Sequence, residues 1–286
     1  MTVRIRAFAK VNLYLRILDR RPDGFHNLET VFHTVGLADD LAFSPGPTLR
    51  LVTSGLPTPR GGDNLCLRAA RLLMGPQTLG ATIRLMKRIP AGAGLGGGSA
   101  DAAACLVGLN RLWRLGRTRP ALALLAAKLG SDVPFFLGGS AAVGRGRGET
   151  LTPIPSRLRG WVVILKPRFS INTGEAYAAW DRLQKSGRLT CPAATLKGVV
   201  RAVRLGRINS LRVHNDFEQV AAARHPRLGD LRTGLLRSGA AVAFLTGSGS
   251  AMVGLYGEAP AARAAARALQ RRFRVTAFAV PIHPGG

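Results

Sequence analysis

The chain has 286 residues, 47% of them apolar, which is enough for one large or two modest domains with a substantial core and excludes global disorder. Lys and Arg number 41 against 15 Asp and Glu, a formal charge of +26 that favours polyanionic partners, nucleic acid among them. Only six of the basic residues are lysine, however, and the arginines are scattered without a tail or run, so the charge reads as solvated surface and no nucleic-acid partner is expected. Residues 3–17 alternate: Val3, Ile5, Ala7, Ala9, Val11, Leu13, Leu15 and Ile17 share one face of a strand, with Arg4, Arg6, Phe8, Lys10, Asn12, Tyr14 and Arg16 on the other. On periodicity alone that second face is wet sheet surface, with Lys10 and Asn12 side by side on it. Pro22-Asp23-Gly24 is a turn signal that presents Phe25 and His26 and leads into a second strand over 29–35. On residue type alone, Phe25 and His26 read equally as a ring tucked into the core beside an exposed imidazole.

Residues 39–60 hold Asp39-Asp40, several prolines and short β-like pieces. Gly61-Gly62 opens a helix that runs to about Met74, capped by Asp63 or Asn64 and stopped by Gly75-Pro76. Residues 81–87 alternate as a half-buried strand, 88–98 are glycine-rich, and Ser99 to Trp113 is an Ala- and Leu-rich helix with Ser99 as its cap. A further helix spans 118–129. Asp132, in Gly130-Ser131-Asp132-Val133-Pro134, has the position of a cap on a short helical turn. Residues 138–149 read as a strand and tight hairpin. The pattern breaks at Pro153-Ile154-Pro155, which divides the chain into domains 1–152 and 153–286. Beyond it lie a strand over 161–167, a helix entered through Phe169 to Tyr177, a helix start at His214 to Glu218, and a strand over 240–245. The Thr246–Ser250 glycine turn, a strand to Tyr256, a helix over 260–272 and a strand over 275–280 complete the chain. This order suggests an α+β sandwich. Tyr177 by itself reads as a helix-face ring packed on the core.

Cys66, Cys105 and Cys191 form no C-x-x-C pair and the five histidines show no metal-ligand spacing, which argues for a reducing compartment and against a disulfide framework or zinc site. No signal peptide and no apolar run approaching ~20 residues is evident. The expected location is the cytoplasm, away from a membrane.

The glycine-rich stretch sits in a strand-to-helix turn. Glycine takes up positive φ and leaves no Cβ between a ligand and the main chain. The helix start adds unpaired N–H groups and partial positive charge, so the natural guest is a phosphate. Gly92, Gly94 and Gly97 fit G-x-G-x-x-G, but the acidic residue about 20 positions on that a dinucleotide needs is missing from Leu112 to Arg117. Gly98-Ser99-Ala100 lacks the lysine of a Walker loop, and a turn without ligand is the other reading of these residues.

Pro90-Ala91-Gly92-Ala93-Gly94-Leu95-Gly96-Gly97-Gly98-Ser99-Ala100 resembles the ATP-binding motif of the GHMP kinase superfamily, and the resemblance extends over most of the chain. It is strongest to the branch acting on cytidine diphosphate methylerythritol, through Ala9-Lys10-Val11-Asn12-Leu13, Phe25-His26, Gly130-Ser131-Asp132-Val133-Pro134-Phe135-Phe136 and Tyr177. The resemblance implies a two-domain α+β fold, the first domain like one in a small-subunit ribosomal protein and the second a ferredoxin-like sandwich, with the last strand free to return to the first. It implies ATP and Mg2+ as cofactors, the cytidine diphosphate alcohol as small-molecule substrate, and a monomer or weak homodimer. Residues 90–100 then bind ATP, with Ser99 towards Mg2+; Lys10 and Asp132 are catalytic; Asn12, Phe25, His26 and Tyr177 bind substrate, the two rings flanking cytosine. Phe25 stands where the branch usually has tyrosine and keeps the stacking face. The Thr246–Ser250 turn corresponds to a third superfamily motif beside the active site. Asp101 would repel phosphate if it faced the loop, so it is expected to point away.

Overall fold

The computed structural model describes residues 2–59, 63–189 and 194–282; Gly61, Gly62 and Cys191, named above, lie outside them. The first half contains β1 (Val3–Arg20), β2 (His26–Pro45), β3 (Leu49–Gly55), α1 (Leu65–Met74), β4 (Ala81–Lys87), α2 (Gly97–Leu112) and α3 (Arg119–Leu129). After a short 3-10 turn at Val133–Leu137 come β5 (Ala141–Arg145), β6 (Thr150–Pro153), β7 (Trp161–Lys166), α4 (Thr173–Lys185) and α5 (Leu196–Leu205). The remainder is β8 (His214–Asn215), α6 (Asp216–Arg224), α7 (Arg227–Arg237), β9 (Val242–Leu245), β10 (Met252–Tyr256), α8 (Ala259–Phe273) and β11 (Thr276–Pro281).

These elements form two compact units that interleave along the chain: residues 1–9, 37–91 and 96–139 in the first, and 10–36, 92–95 and 140–286 in the second. β1 and β2 are long enough to contribute to both units, so a single cut at 152/153 does not describe the packing.

In the first unit β4 pairs antiparallel with the end of β2, from Asp40↔Met86 to Pro45↔Ala81, and parallel with β3. The period of two buries Ala81, Ile83 and Leu85 on one face of β4, in a core shared with α1, α2 and α3. α2 is buried almost all round, which explains its composition: Ala102, Ala103, Ala104 and Gly108 let neighbours approach closely. A Cβ on Gly108 would lie 2.3 Å from Cε2 of Phe43. Asn64 caps α1 by accepting the Cys66 N–H at 2.9 Å, and Thr118 caps α3. Ser99 does not cap α2. The N-cap is Gly96 at φ 68°, without a side-chain bond, and Ser99 is the third residue inside the helix. The chain enters α2 through left-handed backbone that glycine adopts without strain, whereas a serine cap needs extended backbone.

The second unit contains an antiparallel sheet of order β11-β7-β10-β9, covered by α4, α6, α7 and α8 around Val163, Leu165, Trp180, Phe217, Leu235 and Leu245. β11 pairs with β7, and Ile282 bridges Val35, so the last strand completes this sheet within the second unit. β5 pairs with both β2 and β6, giving the hairpin read from 138–149, and β8 adds to β1 at Tyr14↔His214. The sequence reading contains neither α5 nor α7. From Ala9 to Leu15 β1 is buried on both faces, so the expected wet face is absent there: Lys10 is 3% and Asn12 2% exposed.

Gly108→Ala is expected to cost about 1–3 kcal/mol, because Phe43 has to leave its rotamer to admit the methyl group. Chemical denaturation measures it, and unchanged stability would mean that the α2 contact is loose.

Candidate active site

The glycine loop takes its form from three left-handed residues, Gly92 (φ 60°), Gly94 (75°) and Gly96 (68°). Gly97, counted in the G-x-G-x-x-G pattern, is needed instead for space: a Cβ there would lie 2.7 Å from Cγ2 of Ile89. Because α2 has no side-chain cap, the N–H groups of Gly97, Gly98 and Ser99 open its first turn without one. Gly98 is exposed, and the positive end of the helix dipole adds to these donors. This is the cradle a phosphate oxygen requires.

Within the second unit, residues 93–95 are fastened on two sides. Lys10 N–H donates to the Leu95 carbonyl at 2.9 Å, and Ala251 N–H donates to the Ala93 carbonyl at 3.2 Å. A Cβ on Gly94 would meet the Thr246 carbonyl oxygen at 2.0 Å, so the 246–251 turn packs directly on the loop, where the third motif was expected. Asn215 holds that turn, donating through Nδ2 to the Leu245 and Gly247 carbonyls, both at 2.8 Å. Its Oδ1 accepts the Phe217 N–H, and the neighbouring Asp216 accepts the Ile17 N–H, so the Asn-Asp helix start has a structural role.

Lys10 and Asn12 protrude together from β1, as period two demands. Lys10 Nζ donates to Asn12 Oδ1 at 2.7 Å and lies 5.3 Å from the Phe32 ring centroid. Asn12 Nδ2 donates to Thr30 Oγ1, whose hydroxyl donates to the Tyr14 carbonyl, while Asn12 N–H donates to Thr246 Oγ1. The chain of bonds fixes the amide so that its oxygen faces the ammonium. Asp132 is in the first unit, half-buried at the head of the Val133–Leu137 turn, and its carboxylate makes no capping bond to that turn. The simple cap role is therefore not what places it.

The aromatic residues are arranged in a way the sequence does not suggest. Tyr177 stacks on His26 with ring centroids 4.6 Å apart at 11°, and Phe217 meets Tyr177 edge-on at 4.9 Å. His26 is 6% exposed and its Nε2 lies 2.7 Å from Asp181 Oδ1. Phe25 is 52% exposed, with the Arg147 guanidinium 4.5 Å from its ring centroid.

A second group joins residues that the sequence reading did not connect. In the first unit, Lys87 Nζ donates to Asp39 Oδ2 at 2.5 Å and to Asp101 Oδ2 at 2.6 Å. Asp101 thus turns to Lys87. Burial pushes the Asp101 carboxyl up to about 7, against the pull of Lys87. Burial also works against the Lys87 charge, but Asp101 and Asp39 outweigh it and hold the ammonium above its usual range. The signal was present: Lys87 continues the apolar face of Ala81, Ile83 and Leu85.

Among the described residues no three His, Cys, Asp or Glu side chains gather as a metal cage. The Ser99 hydroxyl, in the first turn of α2, is a protein oxygen of the kind that Mg2+ takes beside water and phosphate oxygens. No helix among the described residues is long and apolar enough to cross a membrane. Cys66 and Cys105 are buried thiols.

The family of GHMP kinase N-terminal domains matches residues 64–140, and that of GHMP kinase C-terminal domains matches 198–275. A 4-diphosphocytidyl-2-C-methyl-D-erythritol kinase of Moorella thermoacetica is 43% identical over 274 residues, covering 94% of this chain and 95% of the relative. The crystal structure of a 4-(cytidine 5'-diphospho)-2C-methyl-D-erythritol kinase matches with TM-score 0.83 at 36% identity, over 99% of this chain and 100% of that one. A homoserine kinase from Cytophaga hutchinsonii (TM-score 0.72, 17% identity, 99% of this chain and 95% of that one) shares the fold alone.

An unfolded aspartate loses its proton near pH 4, while folded Asp101 keeps it to about 7. Between those values the native state binds the extra proton, so this group's contribution to stability is full below about pH 4 and is lost as pH rises through about 7. Denaturation of the wild type and Asp101→Asn from pH 4 to 8 is expected to show a falling slope, worth more than about 1 kcal/mol, that the variant lacks. Parallel curves would place the Asp101 titration outside this window.

Proposed function

The chain belongs to the GHMP kinases and, within them, to the 4-diphosphocytidyl-2-C-methyl-D-erythritol kinases, and from that membership we propose that it moves the γ-phosphoryl group of ATP to the 2-hydroxyl of 4-diphosphocytidyl-2-C-methyl-D-erythritol. The products are ADP and the 2-phosphate, a step of the non-mevalonate route to isoprenoid precursors. The observation that carries this reading is 43% identity maintained over 94% of the chain. The uncapped start of α2 behind three left-handed glycines supports it physically, as a receptacle for polyphosphate.

Phosphoryl transfer asks a protein chiefly to position groups and neutralise charge. In our reading residues 90–100 bind ATP, with its phosphates on the main-chain N–H groups of Gly97, Gly98 and Ser99 at the start of α2. Ser99 offers its hydroxyl to Mg2+, which when bound neutralises phosphate charge. Asp132 orients the substrate hydroxyl and accepts its proton at the carboxylate as the oxygen–phosphorus bond forms. Lys10, its ammonium held by Asn12, acts on the negative charge of the transferring group. Phe25 has an exposed ring suited to stacking on cytosine. His26 and Tyr177, stacked on each other and braced by Asp181, form the other wall of the base site.

ATP consumption with the cytidine diphosphate alcohol, compared with mevalonate and homoserine, tests the substrate: turnover with the first alone is expected, and preference for either of the others overturns the assignment. Asp132→Ala is expected to lower kcat by about 10²–10⁴ with little change in ATP binding, the usual scale for losing a general base; near-normal turnover would remove Asp132 from the mechanism. Phe25→Ala and Tyr177→Ala should raise KM for the cytidine substrate and leave that for ATP unchanged. Equal effects on both would mean that neither ring meets the base.

A further inference from the structure

We propose that Asp39, Lys87 and Asp101 are positioning residues that hold the phosphate loop in its ATP-binding form, a role that rests on the loop's assignment above. All three are more than nine-tenths buried, and all belong to the first unit. They act on the two ends of the loop. At the strand end, Asp39 Oδ1 accepts the N–H of Arg88 at 2.5 Å and of Ile89 at 2.8 Å. Those are the first two donors beyond the end of β4, and Ile89 is fully buried. Without Asp39 its N–H would be left unpaired, at a cost large enough to redirect the chain. At the helix end, Asp101 lies one turn inside α2 and binds the same ammonium that Asp39 binds. One side chain, Lys87, therefore joins the exit of β4 to the entry of α2 across a segment that contains every residue of the loop. Glycine as the first helical residue leaves room for this: a Cβ on Gly97 would lie 2.7 Å from Cγ2 of Ile89 and 3.0 Å from Lys87 Nζ.

The cost of the arrangement indicates that it serves more than stability. Two carboxylates share one ammonium away from water, and Asp101 Oδ1 has no hydrogen-bond partner. Apolar side chains of similar volume commonly stabilise such a site as well or better. What apolar packing does not supply is direction: bonds of fixed length from one Nζ to two elements set where the first amides of α2 stand relative to the end of β4. A phosphate cradle depends on that spacing, because misplacement of about 1 Å costs on the order of a hundredfold in a positioned reaction.

The experiment measures steady-state kinetics for both substrates, together with direct titration of Mg-ATP, in wild type, Asp101→Asn, Lys87→Met and the triple variant Asp39→Asn/Lys87→Met/Asp101→Leu. Folding of each is checked by thermal denaturation. In the folded variants KM and Kd for ATP are expected to rise about tenfold or more, with a smaller fall in kcat at saturating ATP and an unchanged KM for the cytidine substrate. The triple variant, with its buried charges removed together, is expected to regain stability but not ATP affinity. Wild-type ATP affinity in any folded variant overturns the proposal. So does an equal loss in kcat and both KM values, which is the mark of general destabilisation. If the wild type itself neither binds nor consumes ATP, the kinase reading fails first, and the wild-type titration shows it before any variant is compared.

Discussion

A helix start left open is the constraint on which the structure depends. Gly92, Gly94 and Gly96 bring the chain into α2 through alternating left-handed residues, so no side chain bonds back to the first amides of the helix. A capping serine or aspartate would stabilise α2 by about 1 kcal/mol. Forgoing it leaves donors and a partial positive charge for an anion. Within the second unit, residues 93–95 are held by the 246–251 turn against Gly94, Asn215 behind that turn, and Lys10 N–H on the Leu95 carbonyl.

Charge is used in two different ways. Most of the +26 is arginine spread over the surface, in pairs such as Arg6–Asp40 and Arg224–Glu175 that are exposed on both sides and contribute little to stability. Among the described residues the buried charges are few and are lysine or aspartate. Lys10 is set by Asn12, and Lys87 is shared by Asp39 and Asp101. Lys166 is the contrast: it donates to the carbonyls of Pro167 and Phe169, and burial lowers its pKa. The proposed mechanism gives Lys10 and the glycine loop a purpose in phosphoryl transfer.

Features with a local cause were legible in the sequence. β4 and α3 follow from period and caps, and the glycine loop follows from the conformations only glycine takes up freely. Asn64, one of the two caps the sequence offers, caps α1, and Thr118, the first residue of the helix read over 118–129, caps α3. Features with a distant cause were not. The sequence reading ends the second strand at residue 35 and leaves Asp39-Asp40 among short β-like pieces, yet β2 runs through them, with Asp39 bonded to Lys87, 48 residues on. The stack of His26 on Tyr177 and the bond of His26 to Asp181 join β2 to a helix more than 140 residues away. Ser99 failed as a cap for a different reason: the pattern rule assumes extended backbone before a helix, and here the backbone is left-handed. The interleaving of the two units is topological, and no local period records it.

The most direct test of the open helix start is to follow the backbone amide resonances of Gly97, Gly98 and Ser99 while Mg2+ and a non-hydrolysable ATP analogue are added. They should shift together, saturably, and with the same dissociation constant as nucleotide binding. Nucleotide binding that leaves these three amides unmoved while others respond would contradict the account.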